Sequence, residues 1–467
     1  MMRNKIKSLV SDSPLSGRKT DSMRYPHITI LGGGPAGLAV GYYARKHHIP
    51  FTLYEATNHI GGNCITFRHG DFLFDSGAHR FHNRIPDVTN EIKTLLSVEF
   101  EKIEAPSSIY FNEKFIDFPL SPLNLLKNLG LSAFFQAVIE LLAARLSPKD
   151  KNDSFEHFAI RTYGRSVAEW FLLSYSEKLW GLSSAELSPK IAGNRMKGLN
   201  LQTFIAEALL GRKAKTAHLD GSFYYPSGGI GTISDKLAEF CGEENIRKAY
   251  RVTRVIHDKK RICAVEVNGS EKIPTDFVAS TLPINLFLGM MEPPPDTDTF
   301  DLVKDLQYRS MVLVAFFLNK NRVSENASIY FPDPDLEFTR IYEPKNRSCR
   351  MSPHGKTSLV VEIPCQQEDA VWKKSDEELI MRVRPKLVQA GLIKKDEIID
   401  SVVKRIPYAY PILDAGFEEK LRHVVNVLAR FSNLGLSGRN GMFVYGHIHD
   451  MMAMGKEIVE RYRSENH

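Results

Sequence analysis

Cysteine is scarce in this chain and supplies no framework: the five residues, at positions 64, 241, 263, 349 and 365, are odd in number and never fall in a C-x-x-C spacing. That argues against a disulfide scaffold or a zinc site and fits a reducing cytoplasm, at most at the cytoplasmic face of a membrane. Also missing is any run of about 18 uncharged apolar residues, so no integral membrane span is expected. Neither sign of charge dominates: 61 Lys and Arg face 55 Asp and Glu, a formal net charge of +6 spread along the chain. Such a balance leaves no nucleic-acid footprint, though it favours an anionic small molecule or a lipid surface. No internal repeat or low-complexity tract is visible. What is present is a globular composition, 43% apolar and 25% charged over 467 residues, long enough for two domains. Residues 1–24, with Lys5, Lys7, Arg18 and Lys19, lack the apolar core of a secretory signal and read as a disordered basic tail. A transit peptide is the alternative, weakened by Asp12 and Asp21.

The glycines gather in turns. An apolar strand (Ile28, Ile30, Leu31) runs into Gly32-Gly33-Gly34-Pro35-Ala36-Gly37, then a helix, then a second strand that ends on Glu55. Gly32 permits a tight turn, Gly34 lets the backbone approach a pyrophosphate, and Gly37 lets the helix pack on the strand. The helix N-terminus adds free N–H groups and the positive end of a dipole. Glu55 lies about 20 residues on, where a carboxylate accepts hydrogen bonds from ribose hydroxyls. The set in register predicts a dinucleotide, FAD; an ordinary strand-to-helix turn with a surface Glu is the plainer alternative.

Further along, His59-Ile60-Gly61-Gly62-Asn63 precedes a hairpin (Ile65 to Phe67, Phe72 to Phe74) and Gly77-Ala78-His79-Arg80-Phe81-His82. Residues 120–146 turn helical, with Leu131, Phe134, Phe135, Val138, Leu141 and Leu142 on one stripe, expected in the core. Residues 154–180 form a second helical region, rich in aromatics and closed by Trp180-Gly181. A basic group follows at Arg195, Lys197, Arg212, Lys213 and Lys215, either the floor of a pocket or a solvated face. Gly228-Gly229-Ile230-Gly231 leads into a helix near Thr232. Arg251 to Ile256 (which includes Val252), Ile262 to Val267 and Phe277 to Thr281 read as a meander around the Asn268-Gly269 turn. Strands at 311–318 and 358–363 and helices at 375–390 and 395–400 make a second α/β portion. The final Gly438-Arg439-Asn440-Gly441-Met442-Phe443-Val444-Tyr445 opens a helix reaching about Tyr462. A chain that begins and ends in glycine-rich turns is expected to bring both to one ligand.

Gly32 to Gly37 with Glu55, the doublet Gly61-Gly62, Ser280-Thr281-Leu282-Pro283 and Gly438-Arg439 resemble the flavoprotein superfamily of amine oxidases, protoporphyrinogen oxidases and UDP-galactopyranose mutases over nearly the whole length. His59 to Asn63, Gly77 to His82, Tyr175-Ser176-Glu177-Lys178-Leu179-Trp180-Gly181 and Pro407-Tyr408-Ala409-Tyr410-Pro411 look most like the mutases. Length and middle sequence look more like bacterial protoporphyrinogen-oxidase-like FAD proteins. The resemblance implies an α/β fold, with a Rossmann-like FAD-binding domain of GR2 type (25–95, 217–285, 405–467) and an inserted, discontinuous α+β substrate or cap domain (96–216, 286–404). It implies non-covalent FAD held by Gly32, Gly34, Pro35, Ala36, Gly37, Glu55, Gly61, Gly62, Asn63, Gly77, Ala78, Val252, Gly438, Arg439 and Met442. It also implies catalytic or substrate roles for His79, Arg195, Tyr408, Tyr410 and Tyr445, and no metal.

In the mutase reading the reaction is redox neutral: the anomeric carbon of a nucleotide sugar is taken by N5 of reduced flavin, the nucleoside diphosphate leaves, and the sugar ring recloses in its other size, as in cell-surface polysaccharide synthesis. NADPH is the candidate external reductant. Two departures stand out: Arg195-Met196-Lys197-Gly198 replaces the mutases' Arg-Leu-Pro-Val-Arg, and His447 stands where they carry an acid. The alternatives are an FAD oxidase or desaturase passing hydride from an amine or apolar substrate to flavin, with the 120–146 stripe touching a membrane, and a non-catalytic FAD-binding protein. His79 as a buried structural histidine, Arg439 as a surface arginine and the tyrosines as packing residues remain the plain readings.

Overall fold

The computed structural model describes residues 25–118, 120, 122–146, 154–192 and 222–466; the basic tail and the stretch holding Arg195 lie outside them. Ile28–Leu31, buried at every position, sits at the centre of a five-stranded sheet in the order 434–436, 277–280, 28–31, 51–55, 246–248. All four pairings are parallel. Parallel strands are covered on both faces, which is why these read as unbroken apolar runs. Helix Pro35–Lys46 follows the first strand, and its Leu38, Ala39 and Val40 share a core with Ile448, Met452 and Val459 of the final helix, Ile448–Glu465.

One strand differs from expectation. Phe277–Ser280 does not close the meander but enters the parallel sheet beside Ile28–Leu31; all four of its residues are buried, so it needs cover on both faces. The meander closes with Glu271–Pro274, after a turn in which Asn268 and Gly269 take φ of 52° and 73°. Two successive positive φ values are what a tight primed hairpin turn requires.

A second, seven-stranded sheet has the order 398–411, 308–318, 357–365, 340–342, 328–330, 107–111, 114–118. Tyr308–Leu318 alternates between two cores. Val312, Val314, Phe316 and Leu318 meet helix Asp376–Gln389 on one face. Met311, Leu313, Ala315 and Phe317 meet Phe72 and Phe74 of the hairpin Thr66–His69 and Phe72–Asp75 on the other. The helix expected at 395–400 is a single 3-10 turn, Lys395–Glu397, because the β-branched run from Ile398 starts a 14-residue strand, Ile398–Pro411. The expected boundary at 404 falls inside that strand.

Helices Pro122–Leu146, Phe155–Tyr163, Arg165–Ala168 and Ser174–Trp180 cover the far edge of this sheet, where Ile109, Ile116, Leu125 and Phe171 form a small core. The long helix is broken at Gly130 (φ 86°). Its expected single stripe is split. Phe134, Val138 and Leu141 line a cavity, whereas Leu131, Phe135 and Leu142, joined by Ile139 and Leu146, are 48–87% exposed. Periodicity finds a helical face but does not say whether protein covers it. The expectation of no membrane-length run counted uncharged residues alone; with Lys127 and Glu140 admitted, Asn124–Ala144 is long and apolar enough to cross a bilayer, by length and composition only.

Candidate active site

One continuous cavity of about 690 Å³ runs between the two sheets and the helices. Its first end is the turn after Ile28–Leu31: Gly32, Gly33, Gly34, Pro35, Ala36 and Glu55 line it, together with Gly62, Asn63, Val252, Gly438 and Arg439. The opening and closing turns therefore meet, and a Cβ at Gly438 would lie 3.0 Å from the Ala36 Cβ. Gly37, Gly61, Gly77 and Met442 do not line the cavity but shape it from behind. A Cβ on Gly37 would stand 2.0 Å from the Gly32 carbonyl oxygen. Gly61 N–H donates to Gly33 O (2.9 Å), Gly77 O accepts from His79 N–H (2.7 Å), and Met442 N–H donates to Gly438 O (2.9 Å).

This end fits an adenine dinucleotide. Helix Pro35–Lys46 starts at Gly34 with no side-chain cap, so its first N–H groups remain available to an anion. A Cβ on Gly34 would meet only Gly62 Cα, at 3.8 Å, which leaves open space beside the turn. Glu55 is held in place by Gly33 N–H (2.8 Å) and by the Thr57 N–H and hydroxyl (2.9 Å each), a rigid carboxylate facing the cavity.

Around the middle of the cavity stand His79, Arg340, Trp180, Tyr408, Tyr410 and Tyr445. Trp180 is placed by the C-terminus of helix Ser174–Trp180, which stops at Gly181 in the left-handed region; Arg309 donates to the free carbonyls of Lys178 and Leu179 (3.2 Å each). Rings of Trp180, Tyr410 and Tyr445 lie 5.7–5.9 Å apart. The Arg439 guanidinium sits over both tyrosines (5.2 and 5.7 Å) and donates to Ala409 O and Gly446 O. Arg439 is thus not a surface arginine: its guanidinium is tied to two carbonyls beside the tyrosine pair. Tyr408 takes φ 52°, and its carbonyl accepts from Asn63 and Asn440 (2.9 Å each).

The charges here are set by burial. Desolvation, then Arg439 and Arg340, hold the His79 imidazolium down to about 3, so His79 is neutral at physiological pH. Burial holds the Tyr410 phenol above its ordinary value, opposed by Arg340. Burial also works against the Arg340 charge, but Glu362 more than offsets it. Arg340 Nε and Nη2 donate to Glu362 Oε2 (2.7 and 2.6 Å), and Ala78 N–H donates to Glu362 Oε1 (2.7 Å). Arg340 and Glu362 face one another in register on neighbouring strands. Neither was singled out from sequence. The signal was available: Glu362 is one charge in Thr357–Cys365, a strand buried at every residue. Arg195 lies outside the described residues.

Residues 35–410 match the family described as flavin containing amine oxidoreductases. The chain belongs to that family. This flavoprotein oxidoreductase or isomerase is 22% identical over 475 residues to protoporphyrinogen oxidase 1 of Arabidopsis thaliana, covering 93% of this chain and 86% of the relative. It is 22% identical to coproporphyrinogen III oxidase of Bacillus subtilis over 86% of this chain and 91% of that one. The fold superposes on the crystal structure of reduced UDP-galactopyranose mutase with a TM-score of 0.81, at 19% identity over 94% and 96% of the two chains. As a member of the family the protein is an FAD enzyme with a Rossmann-like α/β fold.

Proposed function

We propose that the protein is a mutase-type flavoenzyme acting on a glycosyl diphosphate, of which nucleotide sugars are the familiar class. The observation that carries this reading is the polar wall in mid-cavity, where Tyr410, Tyr445 and Arg340 line the same space as neutral His79. Bound FAD, when reduced, supplies an electron pair at N5. The protein's share is to hold the substrate. Arg340, kept cationic by Glu362, and the Tyr410 and Tyr445 hydroxyls offer donors to diphosphate oxygens, which take up the electron pair when the anomeric C–O bond breaks. His79, held neutral by burial, adds no positive charge to this part of the cavity. Trp180 and Leu179 exclude water from that space. The resemblance to the mutase fold supports this assignment.

The test is an activity screen on the dithionite-reduced protein with nucleotide sugars. Interconversion of ring forms without oxygen uptake, and none in oxidised protein, is the expected result. Oxygen consumption and flavin bleaching by an apolar or amine substrate would favour the second reading, an FAD oxidase or desaturase. That reading has its own support, since apolar side chains line the helical part of the cavity and the two curated relatives above are named as porphyrinogen oxidases.

A further inference from the structure

We infer that the diphosphate substrate carries a hydrocarbon chain in place of a nucleoside and reaches the cavity from a lipid surface on which helix Pro122–Leu146 lies. This rests on the glycosyl diphosphate reading and names the remaining part of that substrate.

Two observations meet on one helix. Inward, Phe134, Val138 and Leu141 line the helical side of the cavity with Leu125, Val167 and Phe171. Among the described residues between 107 and 192, no acidic, amide or basic side chain lines the cavity; the side chains able to hydrogen-bond are Ser107, Thr162, Tyr163, Tyr175, Ser176 and Trp180, with Tyr330 beside Tyr175 and with Arg80, which donates to the Ser107 and Ser328 hydroxyls, reaching this wall from other segments. A nucleobase edge and a ribose present fixed sets of donors and acceptors that must be matched when water is removed. A hydrocarbon chain needs no match and gains from each methylene covered. The lining suits the second.

Outward, Leu131, Phe135, Ile139, Leu142 and Leu146 recur at helical spacing and are 48–87% exposed. Phe115, 43% exposed at the tip of the 107–118 hairpin, extends the patch. The tip is tied to the helix by Lys114, whose Nζ donates to Asn128 O at 3.3 Å. Lys114 and Lys127 are exposed beside the patch, together with Glu113 and Asp117 of the same hairpin, so its rim carries both signs of charge, and the helix is long and apolar enough to meet a bilayer. An exposed apolar helical face with a charged rim is the pattern of a helix lying in a membrane interface, where the apolar area carries the binding. A partner protein would cover the outward face alone. A bilayer accounts for both faces, because it is also the source of an amphiphile whose tail enters beside the same helix.

The experiment has two arms on the intact holoenzyme. In the first, the reduced flavin spectrum is titrated with farnesyl diphosphate and with UDP. Farnesyl diphosphate is expected to bind at least tenfold tighter. Val138→Trp, or the smaller change Val138→Phe, should weaken it at least tenfold while leaving UDP binding and FAD content unchanged. In the second arm, the wild type should sediment with phosphatidylcholine–phosphatidylglycerol vesicles, and the Phe135→Ser/Ile139→Ser variant should remain in the supernatant. Tighter binding of UDP, sensitive to Val138→Trp, overturns the inference and leaves the glycosyl diphosphate reading standing. If neither diphosphate perturbs the flavin, that reading itself fails. A wild type that ignores vesicles and forms dimers through residues 135 and 139 gives the stripe to a second copy and overturns the lipid route.

Discussion

The two ends of the cavity are built from different materials. The glycine end is shaped by main chain: turns at 32–37, 61–62 and 438–441 approach one another too closely for side chains, and an uncapped helix start supplies the donors. The helical end is shaped by Leu, Phe and Val side chains standing at helical spacing. A main-chain surface fits one ligand and tolerates no added atom. A side-chain surface can exchange volume between neighbours. The contrast suits a fold that keeps one cofactor end while proteins similar to this chain carry names as different as porphyrinogen oxidase and UDP-galactopyranose mutase.

The sharpest way to break this comparison is a single methyl at the glycine end. Gly37→Ala places a carbon 2.0 Å from Gly32 O, so the turn must open. FAD affinity should fall by about 100-fold or more, roughly 3 kcal/mol, read as flavin absorbance per protein. Gly34→Val makes the complementary case. Gly34 has φ −75° and open space beside it, so the fold should persist with an unchanged melting temperature while flavin binding is lost. Retention of flavin by either variant would contradict the main-chain account.

This difference also decides what was legible from sequence. Gly32 and Gly37 are readable because backbone geometry demands glycine there, and Gly34 and Glu55 because they stand at fixed spacings from those two; the turns do meet at one cavity. Phe134 and Leu131 are equally good members of a helical stripe, yet one faces the cavity and the other solvent. Nothing local separates them, because cover is supplied by segments distant in sequence. The same holds for Phe277–Ser280, whose apolar run fits a meander or a parallel strand until its neighbours are known. Arg340 and Glu362 were missed because each needs the other, 22 residues away, before its burial makes sense.

Between the two ends lies the buried ion pair, and removing half of it should have an effect of similar size, on stability in place of flavin affinity. Glu362→Leu leaves Arg340 and the Ala78 N–H without their acceptor in a space where Arg340 is 8% and Glu362 1% exposed. The cost is expected at about 3–5 kcal/mol in denaturant unfolding. The double variant Arg340→Leu/Glu362→Leu should recover most of that stability, since apolar replacement of a buried pair is often neutral. It should not recover activity, which needs the cation. A double variant as unstable as the single one would show that packing, not the uncompensated charge, is at stake.

A smaller effect is expected from acid. His79 holds its proton only below about 3 in the folded protein, against an ordinary value near 6.5. Between those values the unfolded chain binds the proton and the native state does not, so stability rises with pH across the window and is lost on acidification. From pH 6.5 to 5 this one group accounts for up to about 2 kcal/mol. His27, His47 and His449 are also lowered, chiefly by burial, so the total slope is shared. The difference between wild type and His79→Gln isolates the His79 part. Identical slopes for the two proteins would mean that His79 carries its charge in the native state.

The smallest expected effect belongs at the helical end, and it completes the contrast with Gly37. Leu141 is 7% exposed and lines the cavity. Leu141→Met conserves volume in a wall where neighbours can repack, so unfolding free energy should change by less than about 1.5 kcal/mol and FAD content should not change. What should move is the preference among diphosphates of different tail, because methionine bends where leucine branches. If this conservative exchange were as damaging to flavin binding as one methyl on Gly37, the helical wall would be part of the cofactor's cradle, and the division of the cavity into a fixed end and an adaptable end would fail.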